Sequence, residues 1–230
     1  MNIERRLLLK GMALSGMAAA LVSRSGLTMA NGALGVQARP ALPTLALMTG
    51  EVAASAFLQG INASPTARQV TMQRADLSLD FILDLEKRLG STQPQRIIGL
   101  VDDASAAVII DLARSAGARV QWLGQHRATA NASHHRLLSA EAASGCAPQL
   151  GLNLNACGTH FSLTEQRLHG QHAPLQVSAT ARNTAGSEQW AATLGYTLAA
   201  LGTANLGQAP LIASRASPLT GNFVSFSIEA

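Results

Sequence analysis

Two aspartates, Asp102 and Asp103, follow a continuous apolar run, and His126 follows the next one. An acidic pair near an imidazole can hold a divalent cation or transfer a proton, provided all three meet in one pocket. These three are the candidate catalytic residues. The plainer explanation is that Asp103 or Ser105 caps a helix while the other acid is solvated, because a cap alone accounts for these residue types. In an open α/β sheet, ligands collect beyond the carboxyl ends of the strands. By that rule Thr49, Gly50, Glu51, Ser105, Gly124 and Gln125 are the candidate ligand-binding residues.

The second half of the chain holds most of the metal-ligating side chains. His134 and His135 are adjacent, His160 follows Cys157 by three, and His169 and His172 stand three apart. Imidazole suits copper, zinc and haem iron alike, so these five are candidate metal ligands for an unspecified metal. Cys157-Gly158-Thr159-His160 lacks the spacing of covalent haem attachment. Cys146 and Cys157 read as a disulfide closing a small loop, worth roughly 3 kcal/mol in an oxidising compartment. No cofactor is specified by any of these residues.

Several chemistries lack their signatures. Neither a dinucleotide-binding glycine pattern nor a phosphate-binding loop follows any apolar run, and no G-x-S-x-G elbow occurs. Lys87 is the sole lysine after Lys10, and it falls on an exposed helix face, which disfavours Schiff-base chemistry. Aromatic residues make up 3% of the chain, too few for a stacking platform on single-stranded nucleic acid.

The elements that must position these residues begin after a leader. Of 17 basic and 13 acidic groups in 230 residues, Arg5, Arg6, Lys10, Arg24 and Glu4 lie in the first thirty, leaving 13 basic against 12 acidic beyond them. So small a net charge, with scattered arginines, predicts no nucleic-acid partner. A charged start, a short apolar run from Gly11 to Val22 and the small-residue stop Thr28-Met29-Ala30 have the layout of a secretory signal peptide. The run is too short for a transmembrane helix, so no permanent membrane span is expected. Cleavage is expected after Ala30 or Ala38.

Glu4-Arg5-Arg6-Leu7-Leu8-Leu9-Lys10 resembles the twin-arginine export motif, with Glu4 in place of the usual Ser or Thr and Leu8 where Phe is commonest. The resemblance covers the leader only. It implies a periplasmic or exported protein that crosses the membrane folded, often with a cofactor or partner attached.

Residues 31–43, rich in Gly, Ala and Pro, read as an extended lead-in, and 44–230 as a single α/β domain. Thr44–Met48, Val70 with Met72, Ile97–Val101 and Arg119–Leu123 read as strands, with helices between them. Leu79, Ile82, Leu83 and Leu89 define a helical face opposite Asp80, Asp84, Lys87 and Arg88, and Asp84 can pair with Lys87 or Arg88. Ala106–Ala116 is a helix closed by Gly117. Arg127–Ser133 reads as a loop, Leu175–Ala179 as a strand, Ser187–Leu201 as a helix and Val224–Ile228 as a last strand. This alternation predicts a doubly wound, mostly parallel sheet with helices on both faces.

The function that follows is an exported, non-catalytic ligand-binding or accessory component of a periplasmic redox or metal-handling system, working with a co-exported or periplasmic redox protein. Two alternatives stand beside it. One is a hydrolase or metal-assisted enzyme at Asp102, Asp103 and His126; the other is a haem- or metal-binding module in the histidine-rich half.

Overall fold

The computed structural model describes residues 42–143, 145–168, 173–182, 188–203, 207–212 and 218–230. The leader, both expected cleavage sites, His169 and His172 lie outside these residues. Every described residue belongs to one compact unit, Gln37–Ala230.

The first strands follow the apolar pattern. β1 (Thr44–Met48) and β3 (Arg96–Val101) are buried at every position, as strands covered on both faces must be. Between them lie α1 (Gly50–Ala53), α2 (Phe57–Asn62), β2 (Val70–Arg74) and α3 (Leu79–Leu89). β1 pairs in parallel with both β2 and β3. The Ser78 hydroxyl accepts the Phe81 N–H to start α3, and Asp84 pairs with Arg88 one turn on at 2.8 Å. The buried stripe of α3 is Phe81, Leu85 and Leu89, whereas Leu79 and Leu83 are exposed. The expected face was misplaced because two apolar stripes compete in this helix, and the one containing the aromatic ring buries more area.

α4 (Asp103–Ser115) is capped by Asp102 rather than by Asp103 or Ser105. One carboxylate oxygen of Asp102 accepts the Ser105 N–H at 2.8 Å and the other its hydroxyl at 3.0 Å.

From this point the structure departs from a doubly wound, mostly parallel sheet. β4 (Arg119–Ala128) does not pair with β3; the last strand, β8 (Gly221–Glu229), lies between them and is antiparallel to both. β4 turns into the antiparallel β5 (Ala132–Ser139), so most of the expected loop at Arg127–Ser133 is strand. α5 (Cys146–Ala156) leads to β6 (His160–Arg167), parallel to β5, and β7 (Leu175–Ala179) is antiparallel to β6. The result is one eight-stranded mixed sheet, ordered β2-β1-β3-β8-β4-β5-β6-β7, in which four of seven neighbouring pairs are antiparallel. Alternation marks Val224, Phe226 and Ile228 as strand residues but carries nothing about their neighbours. Loop-closure entropy grows slowly with length, so a C-terminal strand can enter the centre of a sheet at modest extra cost.

The sheet divides two cores. One packs Ala46, Met48, Ile98, Leu100, Trp122, Leu137, Phe161 and Leu163 with α2, α5 and α6 (Gln189–Ala199). The other packs Leu45, Leu47, Ile97, Val101, Val224, Phe226 and Ile228 with α3 and α4. This second core ends at β4. The outward side chains of β5, β6 and β7 belong to neither core, and each is exposed or half-buried.

α6 is buried along its whole length and crosses α2 at backbone contact. A Cβ on Gly60 would lie 1.8 Å from the Ala192 carbonyl oxygen, and one on Gly195 would lie 2.3 Å from that of Phe57. Among the described residues no helix is long and apolar enough to cross a membrane.

The expected Cys146–Cys157 disulfide is also corrected. Both cysteines are free and buried. Cys146 opens α5 and Cys157 is its C-cap, so the helix holds them roughly 16 Å apart along its axis. A disulfide needs Cα atoms within about 7 Å. A short spacing in sequence favours a small covalent loop only when the segment between is not a rigid rod.

Candidate functional site

The two expected catalytic elements do not meet. Asp102 is occupied in capping α4, which packs on the α3 side of the sheet. Asp103 is exposed in the first turn of that helix. His126 points to the other side, among the residues beneath α6, and is 2% exposed. The remaining rim candidates are dispersed. Thr49 is the N-cap position of α1 without a side-chain cap, Glu51 is exposed, and Ser105 serves the Asp102 cap. A Cβ on Gly50 would press on the Arg74 guanidinium at 2.9 Å. Gln125 faces outward from β4.

What His126 does meet is a buried chain of polar groups spanning three neighbouring strands. Its Nδ1 lies 2.8 Å from His135 Nδ1 on β5, and its Nε2 lies 2.7 Å from the Ser225 hydroxyl on β8. The Ser225 oxygen accepts the Trp122 indole N–H at 2.9 Å, and His135 Nε2 lies 2.9 Å from the Ser133 hydroxyl. Trp190 of α6 stacks on His126 at 5.7 Å between ring centroids and tilts against His135 at the same distance.

Two neutral imidazoles can share an Nδ1···Nδ1 bond only if one donates and the other accepts, so the chain runs in one direction at a time. Ser225 and Ser133, both buried, stand at its two ends, and the tautomers of His126 and His135 decide which hydroxyl donates to its imidazole. Burial holds both imidazoles neutral: desolvation, then the neighbouring His135, pushes the pKa of His126 well below its usual value. Desolvation, then His134, lowers that of His135 to about 3.

Gly124 makes room for this arrangement. A Cβ there would stand 2.6 Å from the Ser225 oxygen, 2.8 Å from His126 Nε2 and 2.9 Å from a Leu137 methyl. Gly124 and His126 were visible in the sequence as rim residues, but Ser133, Ser225 and Trp122 carried no signal. They are single polar or aromatic residues on separate strands, joined only by register. A hydroxyl within 2.7 Å of an imidazole has the geometry of an activated nucleophile. This hydroxyl has no solvent-accessible surface, however, and its base is sealed beneath Trp190. The chain therefore ties β4, β5 and β8 together.

The opposite face of the same strands is different. Their register sets Gln125, Arg136, Thr164 and Gln176 side by side across β4 to β7. A second row holds Arg127, His134, Ser162 and Ser178, and a third holds Leu123, Leu138 and Gln166. A shallow concavity of about 520 Å³ lies over the first and third rows, with Pro174 at its edge. The only carboxylate in these four strands, Glu165, points inward and accepts the Ser139 hydroxyl. Arg127 and Arg136 have no ionic or hydrogen-bond partner among the described residues.

The candidate metal ligands divide between these faces. His135 is inward, whereas His134 and His160 are outward on neighbouring strands, with ring centroids 6.5 Å apart and His134 Nδ1 2.8 Å from the Ser162 hydroxyl. Arg127 stands directly opposite His134 in the ladder, which places a cation where a metal would need an acid. Among the described residues no group of three potential ligands comes together.

No family model matches the chain, and neither does any curated protein or solved structure.

Proposed function

We propose that this chain is an exported, non-catalytic accessory domain that engages a partner through the face of β4–β7 that the described residues leave uncovered. The observation that carries this reading is the contrast in how polar groups are used on that half of the sheet. Inward, the hydroxyl and imidazoles consume one another and are closed to a substrate. Outward, Arg136 and a row of amide and hydroxyl side chains stand unpaired along a shallow concavity, and Arg127 stands unpaired in the row beside it. Unpaired donors on rigid strands are the raw material of a recognition surface. The resemblance of Glu4–Lys10 to a twin-arginine signal supports export in folded form and a periplasmic redox or metal-handling setting, by association.

Two measurements test this. Photo-crosslinking side chains at Gln166 and Ser178, in the full chain expressed in its native host, should yield an adduct of defined mass, whereas the same probe at Asp103 should not. A solitary monomer with no adduct from the outer face would end the accessory reading. Export is checked by the mass of the secreted form, expected to begin after Ala30 or Ala38. Replacing Arg5 and Arg6 by lysine should block its appearance, and unimpaired export of that variant would refute the twin-arginine assignment.

A further inference from the structure

We infer that the uncovered face recognises carboxylates of an acidic polypeptide segment, with Arg136 and Arg127 as its anchoring donors. This deepens the accessory reading above and rests on it. Arg136 sits centrally, with Gln125 beside it on β4 and Thr164 beside it on β6, and Gln176 follows on β7. Four side chains at strand spacing cover about 14 Å, the length of several peptide units. The amides of Gln125 and Gln176 and the hydroxyl of Thr164 offer donors and acceptors to an extended backbone, and the Arg136 guanidinium offers a planar fork to a carboxylate.

Charge selects among the possible occupants. The described face has no outward carboxylate, so a second copy seated face to face would set arginine against arginine. A compact anion would need several donors converging on one point, whereas here they are spread along a row. A nucleic-acid strand would need bases stacked on aromatic rings, and the outward positions of these strands carry none beyond His134 and His160.

The test uses the full secreted chain and a decaglutamate peptide, with decaglutamine as its neutral counterpart, in titrations at low salt. Decaglutamate should bind and decaglutamine should not, and about 0.5 M salt should weaken the complex. Arg136→Gln should weaken binding roughly tenfold and Arg127→Gln with Arg136→Gln further, as expected for loss of charge-assisted hydrogen bonds. Lys87→Gln, which removes an equal charge elsewhere, should leave affinity within about twofold. The proposal is overturned by no binding, by equal losses in the Lys87 variant, or by tighter binding of citrate, inorganic phosphate or an oligodeoxynucleotide than of decaglutamate. The crosslinking experiment separates the two levels. An adduct that persists in the doubly substituted chain removes the carboxylate inference and leaves the accessory reading intact; no adduct from the wild-type chain removes the accessory reading itself.

Discussion

His134 and His135 are consecutive residues of one strand, yet they live in different solvents. His135 is 2% exposed, bonded to another imidazole and a serine, and packed against Trp190. His134 is in water on the opposite face, beside Ser162 and across from Arg127. The same contrast separates Gly124 from Gln125, and His126 from Arg127. A strand turns successive side chains to opposite faces, so one residue along the chain moves a group from core to surface. In this half of the sheet the inward side chains are packed and hydrogen-bonded, whereas the described residues leave the outward ones exposed or half-buried. A residue type says little about its role until its parity in the strand is known.

The comparison is broken most directly by truncating each histidine. His135→Ala should cost about 3 kcal/mol in denaturant unfolding, because it opens a cavity and leaves His126 and Ser133 without partners. His134→Ala should stay within about 0.5 kcal/mol of wild type. Equal costs for the two would show that the faces do not differ as described.

Adjacent positions on β4 sharpen the same point. Gly124→Ala forces a methyl against Ser225, His126 and Leu137, and about 2 kcal/mol of destabilisation is expected from overpacking. Gln125→Ala should be nearly neutral. A tolerated alanine at 124 would mean that the imidazole–hydroxyl contact is not held as tightly as its distances indicate.

Acid provides a third separation. In the unfolded chain a histidine takes up a proton near pH 6.5, whereas folded His135 does so only near pH 3. Between those values the unfolded state binds the extra proton, so stability is full above about pH 6.5 and declines as the pH falls, by about 1.4 kcal/mol per unit for His135. His126, whose folded pKa is also depressed, adds to the slope in the same direction. His135→Gln should flatten the decline by close to one proton, and an unchanged slope would place the acid sensitivity elsewhere. His134→Gln is the control from the exposed face.

The smallest effect concerns the two thiols. Burial, followed by the nearby Glu165, pushes the Cys146 thiol up to about 12, and burial also raises Cys157. Both should label only after unfolding, and the mass of the unreduced chain should not change on reduction. A gain of two hydrogens on reduction would restore the disulfide that the α5 helix argues against.

Much of the local structure was legible because it depends on neighbours in sequence. The apolar runs at Thr44–Met48 and Ile97–Val101 are strands buried on both sides, and the stripe containing Trp190, Leu194 and Leu198 is a helix. The alternations at Leu175–Ala179 and Val224–Ile228 are strands. Three readings failed for one common reason, which is that they asked local patterns to report distant partners. β4 looked like the next parallel neighbour of β3, but β8 fills that place. Cys146 and Cys157 looked close because few residues separate them, but those residues form a helix. Asp102, Asp103 and His126 looked like one rim, but the sheet stands between the acids and the imidazole.

The candidate site shows the same division. Trp122, Leu123, Gln176, Ser178 and Ser225 fall in strands that periodicity marks, whereas Arg127 and Ser133 fall in a segment that reads as a loop and no local pattern marks the strands over 134–139 and 160–167. Hydrogen bonds such as Trp122 to Ser225 and His126 to His135 exist because β8 enters between β3 and β4 and because β5 folds back on β4 in one register. Composition and period determined which segments became strands and helices, since backbone sterics and apolar spacing act over a few residues. Tertiary structure decided which strands became neighbours and which face the described residues leave uncovered, because those depend on how the whole set of apolar faces can be buried at once.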